Sequence, residues 1–154
     1  MNEYEEKLKI FMRGHGVGGQ HLSFKQSCHT VEEAASAASA SREDFVKNIC
    51  MVDARGNLIV AIVKGEDRAS TSRIGKALNI DRPRVATPEE ILEKSGYPCG
   101  GVPSFGYKAT FLIDPKVMMK ETLYTSGGSE NSLVKISSME LQRVNNGRIV
   151  RIRK

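Results

Sequence analysis

Two apolar runs separated by a short polar segment decide the fold of this chain: FVKNICMV (residues 45–52), DARGN (residues 53–57) and LIVAIV (residues 58–63). β-Branched residues recur in both runs, and such residues favour strands because they pack well on a pleated surface. The middle segment contains Asp53, Gly56 and Asn57, which are residue types that favour turns. The stretch therefore predicts a β-hairpin, with two antiparallel strands joined by a short loop.

Segments with helical spacing or N-terminal caps predict helices on both sides of the hairpin. Residues 3–13 place apolar side chains at helical spacing before two glycines, and residues 70–78 are also predicted to be helical. Thr30 caps a predicted helix that runs to residue 40, and Glu33 completes a capping box. Thr87, followed by Pro88 at the first helical position, begins a helix that ends at Gly96. A second capping box, from Ser137 to Glu140, begins the last helix.

Further strands are predicted at residues 20–26, 84–86, 110–113, 123–126, 133–136 and 148–153. Because strands and helices alternate while several neighbouring strands are joined by hairpins, a mixed sheet fits better than a purely parallel one. The prediction is an α/β (α+β) fold in which a mixed, curved β-sheet or partial barrel is surrounded by helices. Residues 1–154 are expected to form a single domain, since this length is typical of one.

The composition is that of an ordinary globular protein, with 40% hydrophobic and 27% charged residues. The chain lacks the run of roughly 20 apolar residues that a membrane span needs, and its first residues are acidic, unlike a signal peptide. We therefore expect a cytoplasmic protein with no membrane partner. The three cysteines are far apart and form no CxxC pair, so neither a disulfide framework nor a metal site is predicted.

Basic residues are concentrated at the C-terminus of a chain with net charge +5. Alternation across residues 148–153 predicts a strand with one basic face, which includes Arg148, Arg151 and Arg153. This face could bind the phosphates of a polyanion. An equally acceptable interpretation is a charged edge strand that resists aggregation.

Three segments carry residues suited to a functional site: Lys47 at the start of a strand, KGEDR (residues 64–68) after its hairpin partner, and CGGVPSFG (residues 99–106). Each segment alone has an ordinary explanation as a polar loop or turn. Their order, together with matching positions elsewhere, resembles the YbaK / prolyl-tRNA synthetase-associated editing domain family over about four-fifths of the chain. The other matching positions are residues 30–34, Lys76-Ala77-Leu78, Asp114, Tyr124 and Gly127-Gly128.

This resemblance implies hydrolysis of misacylated tRNA by a stand-alone member of the family. Lys47 matches the family's functional lysine, whose ammonium group can hold a phosphate or ribose oxygen and stabilise developing negative charge. Gly101 lies in a glycine/proline loop that matches the family's substrate loop, where backbone N–H groups can approach an oxyanion. Lys47 and Gly101 are therefore the expected catalytic residues. The expected substrate-binding residues are His29, Lys64, Gly100, Val102, Pro103, Ser104, Phe105, Gly106 and Asp114, and the expected tRNA-binding residues are Arg148, Arg151 and Arg153.

Ser104 departs from the family pattern, because many members have proline at this position, and its hydroxyl group could contact the substrate. His15, His21 and His29 all lie outside the matched loop motifs, and no Ser–His–Asp or Cys–His arrangement can be assembled from them. The hypothesis is therefore a water nucleophile, with no metal, no cofactor and no covalent intermediate.

The leading functional hypothesis is a trans-acting deacylase that removes a small amino acid, of the alanine or cysteine type, from tRNA, with tRNA(Pro) as the first candidate. Such editing is needed because a synthetase pocket rejects a smaller side chain by only a few kcal/mol. The expected partners are the acceptor end of aminoacyl-tRNA and prolyl-tRNA synthetase, while the oligomeric state stays open. The alternative is a catalytically inactive tRNA- or synthetase-binding module, suggested by Ser104 and opposed by Lys47 and Gly101. A general nucleic-acid-binding domain is disfavoured because aromatic residues are only 6% of the chain.

Overall fold

Helices and strands alternate along residues 2–154, the part of the chain that the computed structural model describes. The helices are α1 (Glu3–Gly14), α2 (Val31–Ala38), α3 (Thr71–Leu78), α4 (Pro88–Ser95), α5 (Pro115–Met118) and α6 (Ser138–Asn145), with a 3-10 turn at Arg42–Asp44. The strands are β1 (Gly19–Ser23), β2 (Val46–Val52), β3 (Leu58–Lys64), β4 (Arg84–Val85), β5 (Thr110–Ile113), β6 (Thr122–Ser126), β7 (Ser132–Ser137) and β8 (Arg148–Ile149).

The predicted hairpin is confirmed as β2 and β3, which pair antiparallel from Val46 opposite Lys64 to Val52 opposite Leu58. The Asp53 carboxylate closes the connecting loop by accepting hydrogen bonds from the backbone N–H groups of Arg55, at 2.9 Å, and Asn57, at 2.8 Å. Every residue of β3 is buried, which explains why residues 58–63 form an uninterrupted apolar run before Lys64.

The strands form two sheets. Five strands lie in the order β4-β2-β3-β5-β8, in which β2 pairs antiparallel with β3 and β4, while β3–β5 and β5–β8 are parallel. The other three strands form the antiparallel sheet β1-β7-β6. The prediction of a mixed sheet surrounded by helices is confirmed.

Alternation along β2 and β3 divides the apolar side chains between two cores. Val60 and Ile62 face the larger core, which also contains residues of α1, α6 and the three-stranded sheet. Ile59 and Val63 face the opposite way and pack with Ile74 of α3. The five-stranded sheet is therefore covered on both faces. No helix within residues 2–154 is both long and apolar enough to span a bilayer.

The three predicted helix caps are present, but the capping boxes are less complete than predicted. Thr87 and Glu90 form the full reciprocal pair of hydrogen bonds. Thr30 and Ser137 each accept the N–H group of the third helical residue, at 3.1 and 3.0 Å. The Glu140 carboxylate instead accepts the N–H of Gly18 and pairs with an arginine three residues later, so the box at α6 is only half formed.

Several predicted boundaries are wrong. β1 covers residues 19–23 rather than 20–26, and α2 ends at Ala38 because Ser39 adopts a left-handed conformation with φ of 53°. The predicted strand 148–153 keeps regular strand structure only at Arg148–Ile149. Its later part diverges because the N–H groups of Ile152 and Arg153 donate to the buried carboxylate of Asp114 instead of joining the sheet.

Candidate active site

A cavity of about 200 Å³ lies between β2, the start of α2, the loop at residues 99–102 and β6. Four of the residues predicted from the sequence, His29, Lys47, Gly100 and Val102, line it. The remaining lining residues come from the same four segments, from α4 and from β7: Cys28, Thr30, Val31, Ala34, Phe45, Val46, Asn48, Ile49, Cys50, Ile91, Cys99, Tyr124, Thr125, Ser126 and Leu133. The structure therefore brings together residues that are about 100 positions apart in the sequence, as the pair His29 and Leu133 illustrates.

The cavity exists because the edge of β2 is covered over only part of its length. β4 pairs with β2 only at Met51 and Val52, and the N–H of Ala86 then donates to the carbonyl of Cys50 at 2.9 Å. The next residue, Thr87, caps α4 and turns the chain away from the sheet. The segment of β2 between this pairing and the isolated bridge from Phe45 to Tyr124 of β6 thus borders the cavity instead of another strand.

Lys47 is half-buried at the wall of this cavity. Its side chain makes no hydrogen bond or ion pair with any other residue of the described chain. An ammonium group without a protein partner is available to hold a phosphate or to stabilise developing negative charge. The placement of Lys47 is therefore compatible with the role that the family resemblance implies.

A closed ring of hydrogen bonds joins three walls of the cavity. The hydroxyl of Ser104 donates to the Oδ1 atom of Asn48 at 2.6 Å and lies 2.7 Å from the Thr125 hydroxyl. The Nδ2 atom of Asn48 donates to the Thr125 hydroxyl and to the carbonyl of Val102, both at 2.9 Å. Because the Ser104 proton is used on Asn48, Thr125 must donate to Ser104, and every donor in the ring is occupied.

At the rim of the cavity, the side chains of His29 and Glu130 both lie next to Gly100. The Nδ1 atom of His29 is 3.5 Å from a Glu130 carboxylate oxygen, and both side chains are more than half exposed. Gly100 has a φ of +92°, and a Cβ atom there would lie 3.0 Å from the His29 ring. Glycine is therefore required at position 100 both by its backbone conformation and by the close approach of His29.

All three cysteines line the same cavity, although the sequence separates them widely. Burial, with a smaller contribution from Cys99, raises the pKa of the Cys50 thiol to about 12. Burial also raises the pKa of Cys28. A thiol with this pKa is protonated at neutral pH. Since the thiolate is the nucleophilic form, Cys50 is unreactive there. The site therefore offers no support for a Cys50 nucleophile.

Gly101 has a structural role that differs from the catalytic one expected. Its N–H donates to the carbonyl of Pro98 and its carbonyl accepts the N–H of Gly128, each at 2.9 Å. A Cβ atom at Gly101 would lie 2.7 Å from the carbonyl carbon of Gly128. The structure therefore offers no free Gly101 N–H for an oxyanion, because this N–H is already bonded and the residue packs against backbone. The catalytic role of Gly101 stays a prediction.

Most of the other expected substrate contacts lie in the protein interior. Ser104, Phe105 and Asp114 have no exposed surface, and Ser104 belongs to the hydrogen-bonded ring rather than to the cavity wall. Lys64 is buried and pairs with Glu66 at 3.3 Å. The remaining two expected contacts are Pro103, whose carbonyl accepts the Tyr107 hydroxyl, and Gly106, which packs against Leu8 and Phe11. None of these six residues lines the cavity, because burial is set by tertiary packing, which the loop sequence does not reveal. Their contact with a substrate stays a prediction.

Asp114 is a structural anchor for the C-terminus. Burial raises its pKa, but hydrogen bonds from the N–H groups of Ile152, Lys116 and Arg153 and from the Arg153 guanidinium outweigh this effect and hold the pKa below its ordinary value. Arg153 lies 2.8 Å from the carboxylate. Arg153 is therefore engaged in an ion pair with a buried group rather than free to bind phosphate.

The basic C-terminus lies far from the cavity. Arg148 and Arg151 are both exposed, but Arg148 donates to the carbonyl of Ala77 at 2.6 Å. Arg151 is the one whose side chain makes no hydrogen bond or ion pair within residues 2–154. In the order β2-β3-β5-β8, β8 is three strands from β2, or about 14 Å at the usual strand spacing. The predicted strand with one basic face is thus present only at Arg148–Ile149.

Asn48 and Thr125 are the site residues that sequence reasoning missed. Asn48 did carry a signal, because it has the same parity as the core-facing residues Val46 and Cys50 in an apolar strand. A polar side chain at such a position needs hydrogen-bond partners and so marks a buried polar site. Thr125 gave no such signal in the sequence, because threonine is common in strands.

The sequence model of the aminoacyl-tRNA editing domain matches residues 25–144. The chain belongs to the aminoacyl-tRNA editing domain family. This match includes every segment that lines the cavity. Editing domains hydrolyse the ester that joins an amino acid to tRNA, so this family member is a deacylase, a hydrolase that acts on aminoacyl-tRNA.

Two proteins are similar to this editing domain in sequence, and a third is similar in structure. Uncharacterized protein YwhH of Bacillus subtilis (strain 168) is 25% identical over 120 residues, which cover 77% of this chain and 76% of YwhH. A proline–tRNA ligase of Trichlorobacter lovleyi is 25% identical over 111 residues, covering 70% of this chain but only 19% of the ligase. The crystal structure of a candidate trans-editing enzyme for prolyl tRNA synthetase superposes with a TM-score of 0.92 over 100% of this chain and 99% of that protein, at 22% identity. The last comparison establishes the fold.

Proposed function

We propose that this editing domain acts in trans and removes a small amino acid, of the alanine or cysteine type, from tRNA, with tRNA(Pro) as the first candidate. The cavity carries the proposal. Its volume of about 200 Å³ is below the roughly 300–1,000 Å³ of pockets for drug-sized ligands, so it suits a small aminoacyl group. The side chains of Cys28, Val31 and Ala34 give part of its wall an apolar surface suited to a small apolar side chain.

Two relatives support the choice of tRNA. The matched region of the Trichlorobacter lovleyi protein belongs to a proline–tRNA ligase, and the structural neighbour is described as a trans-editing candidate for prolyl tRNA synthetase. Prolyl-tRNA synthetase is accordingly the proposed protein partner, and the acceptor end of charged tRNA is the proposed ligand. In this proposal residues 1–154 act as one editing domain in the cytoplasm, where charged tRNA is used.

The proposed reaction is attack by water on the ester carbonyl. The water oxygen bonds to the carbonyl carbon, the bond from this carbon to the ribose oxygen breaks, and a proton from water passes to that ribose oxygen. Lys47 would stabilise the negative charge that develops during attack. A Cys50 nucleophile is disfavoured because burial raises the pKa of its thiol to about 12. In the described part of the chain no group of three His, Cys, Asp or Glu side chains is arranged to hold a metal.

One observation favours a second candidate function, a catalytically inactive binding module. The Ser104 hydroxyl donates its hydrogen bond within the ring, to Asn48, and the Gly101 N–H donates to the carbonyl of Pro98. Two groups expected to act on the substrate are thus occupied. Such a module would bind tRNA without increasing the rate of ester loss.

Deacylation of a panel of charged tRNAs tests the proposal. The purified protein is incubated with tRNA(Pro) charged with alanine, cysteine, serine, threonine or proline, and with the same amino acids on their cognate tRNAs. The proposal predicts fast loss of alanine or cysteine from tRNA(Pro) and slow loss of proline. Equal ester loss with and without the protein, combined with retained tRNA binding, would establish the inactive module instead.

A further inference from the structure

The first half of β2 has backbone hydrogen-bonding groups that its neighbour β3 does not use. The N–H of Gly65 donates to the carbonyl of Phe45, and the N–H of Asp53 donates to the carbonyl of Asn57. In an antiparallel pair, residues alternate between those that exchange hydrogen bonds with the partner and those whose N–H and C=O groups point away from it. Phe45 and Asp53 are of the first kind, so Asn48, at an odd separation from both, is of the second kind.

The opposite edge of β2 confirms this assignment and shows where the unused groups point. The carbonyl of Cys50, two residues from Asn48 and therefore of the same kind, accepts the N–H of Ala86 from β4. A continued β4 would cover Asn48 next, but the chain turns into α4 at Thr87. The N–H and C=O of Asn48 consequently face the cavity that Asn48 lines.

Asn48 is held in place by its side chain. The hydrogen-bonded ring joins its amide group to Ser104, Thr125 and the Val102 carbonyl at distances of 2.6 to 2.9 Å. These contacts occupy the side-chain donors and fix the residue to two other walls of the cavity. The backbone N–H and C=O of Asn48 are thus positioned before a ligand arrives.

We propose that the aminoacyl group of the substrate pairs with the backbone of Asn48 like a strand one residue long. Its α-ammonium donates to the Asn48 carbonyl, and its ester carbonyl accepts the Asn48 N–H. An aminoacyl ester matches this edge because its amino nitrogen, α-carbon and carbonyl follow one another as they do in a peptide residue, and two opposed residues of an antiparallel pair exchange these two bonds. This inference rests on the proposed function, since it assumes an aminoacyl ligand.

The pairing has a consequence for catalysis. The Asn48 N–H would donate to the oxygen on which negative charge develops during attack, which is the place where a fixed donor accelerates ester hydrolysis. It would supply the oxyanion contact that Gly101 does not provide, because the Gly101 N–H is bonded to Pro98. The pairing also requires a free α-amino group on the substrate, whatever its side chain.

Amide resonances of the isotope-labelled protein test the pairing directly. The probe is 3′-alanylamino-3′-deoxyadenosine, in which an amide replaces the labile ester. We expect the Asn48 N–H resonance to move downfield on saturation. The Ile49 amide is the internal control, because its N–H is donated within the β2–β3 ladder and should move much less. An Asn48 resonance that stays in place while other cavity resonances move would overturn the inference, and a protein with no cavity shifts at saturating probe would overturn both proposals.

A substrate lacking the amino group supplies the second test. Propionyl-tRNA(Pro) and alanyl-tRNA(Pro) are compared in single turnover, each rate divided by its spontaneous hydrolysis rate to remove the inductive effect of the ammonium. Loss of a hydrogen bond from a charged group predicts a decrease of at least about tenfold for the propionyl ester. Normalised rates within twofold would overturn the pairing while leaving the deacylase proposal intact. If alanyl-tRNA(Pro) is not hydrolysed, the proposed substrate fails, and the resonance titration still decides whether an aminoacyl group pairs with Asn48.

Discussion

Replacing Gly101 with alanine is expected to lower stability rather than to act on the substrate. The added Cβ would lie 2.7 Å from the carbonyl carbon of Gly128 and 2.8 Å from its oxygen and from the Ser129 nitrogen. All three atoms belong to backbone, so they can yield only if the two loops separate. Overpacking of this kind costs about 1–3 kcal/mol, and weakening of the Gly128 N–H to Gly101 carbonyl bond costs about 1 kcal/mol more. A total of about 2–4 kcal/mol corresponds to a decrease in Tm of about 5–15 °C for a domain of this size.

Thermal melting and single-turnover deacylation on the same preparation measure this effect. Gly14→Ala is the matched control, because an added Cβ there meets no atom within 4 Å and Gly14 ends a helix. We expect the control to melt at the wild-type temperature or slightly above it, since alanine has the higher helix propensity. Gly101→Ala should retain normal turnover per folded molecule. A Gly101→Ala protein of wild-type Tm but without activity would refute the packing argument and restore Gly101 to the substrate contact.

The remaining predictions concern charge and metal dependence. Lys47→Ala should reduce kcat/KM by about 10²-fold, the usual cost of removing one group that stabilises the transition state, with an unchanged melting curve; wild-type rates would exclude its role. A chelator should leave the deacylation rate unchanged. If activity is lost on chelation and recovered when metal is added, the water-only mechanism is overturned. Arg151→Ala should reduce the slope of log binding constant against log salt by about 1 if Arg151 contacts a phosphate, and an unchanged slope would favour a purely structural C-terminus. Arg153→Ala should instead destabilise the fold by about 2 kcal/mol at neutral pH, because it removes a charged hydrogen bond to Asp114. Since the folded-state pKa of Asp114 is lowered, this stabilisation is present at a pH above the ordinary pKa of aspartate and is lost as the pH falls through the folded-state pKa. The free energies of unfolding in urea of the wild type and the variant should therefore converge in acid.

Local sequence signals predicted the elements whose stabilising interactions are local. The hairpin followed from apolar runs around a turn, and Thr87 with Pro88 predicted the start of α4 correctly. The predicted length of the final strand is wrong because a distant carboxylate, Asp114, accepts hydrogen bonds from the backbone N–H groups of Ile152 and Arg153. That competition between a side chain and a sheet cannot be read from the alternation of residues 148–153.

The site was predictable only where strand position or family resemblance fixed it. Lys47, His29, Gly100 and Val102 line the cavity, but the loop that contains Gly100 and Val102 places Ser104 in the interior. A loop sequence does not specify which residues face solvent, because that depends on which other segments pack against it. The interaction of Ser104 with Asn48 and Thr125 joins three separate segments and leaves no periodic pattern in the chain.

Single-turnover loss of alanine from alanyl-tRNA(Pro), with the protein in excess, tests the central claim most directly. The proposed function predicts ester loss at least about 100-fold faster than spontaneous hydrolysis, and prolyl-tRNA(Pro) largely intact over the same time, since editing requires discrimination well beyond that of a single pocket. Ester loss at the spontaneous rate for both alanyl- and cysteinyl-tRNA(Pro), with a protein that is folded and still binds tRNA, would contradict it.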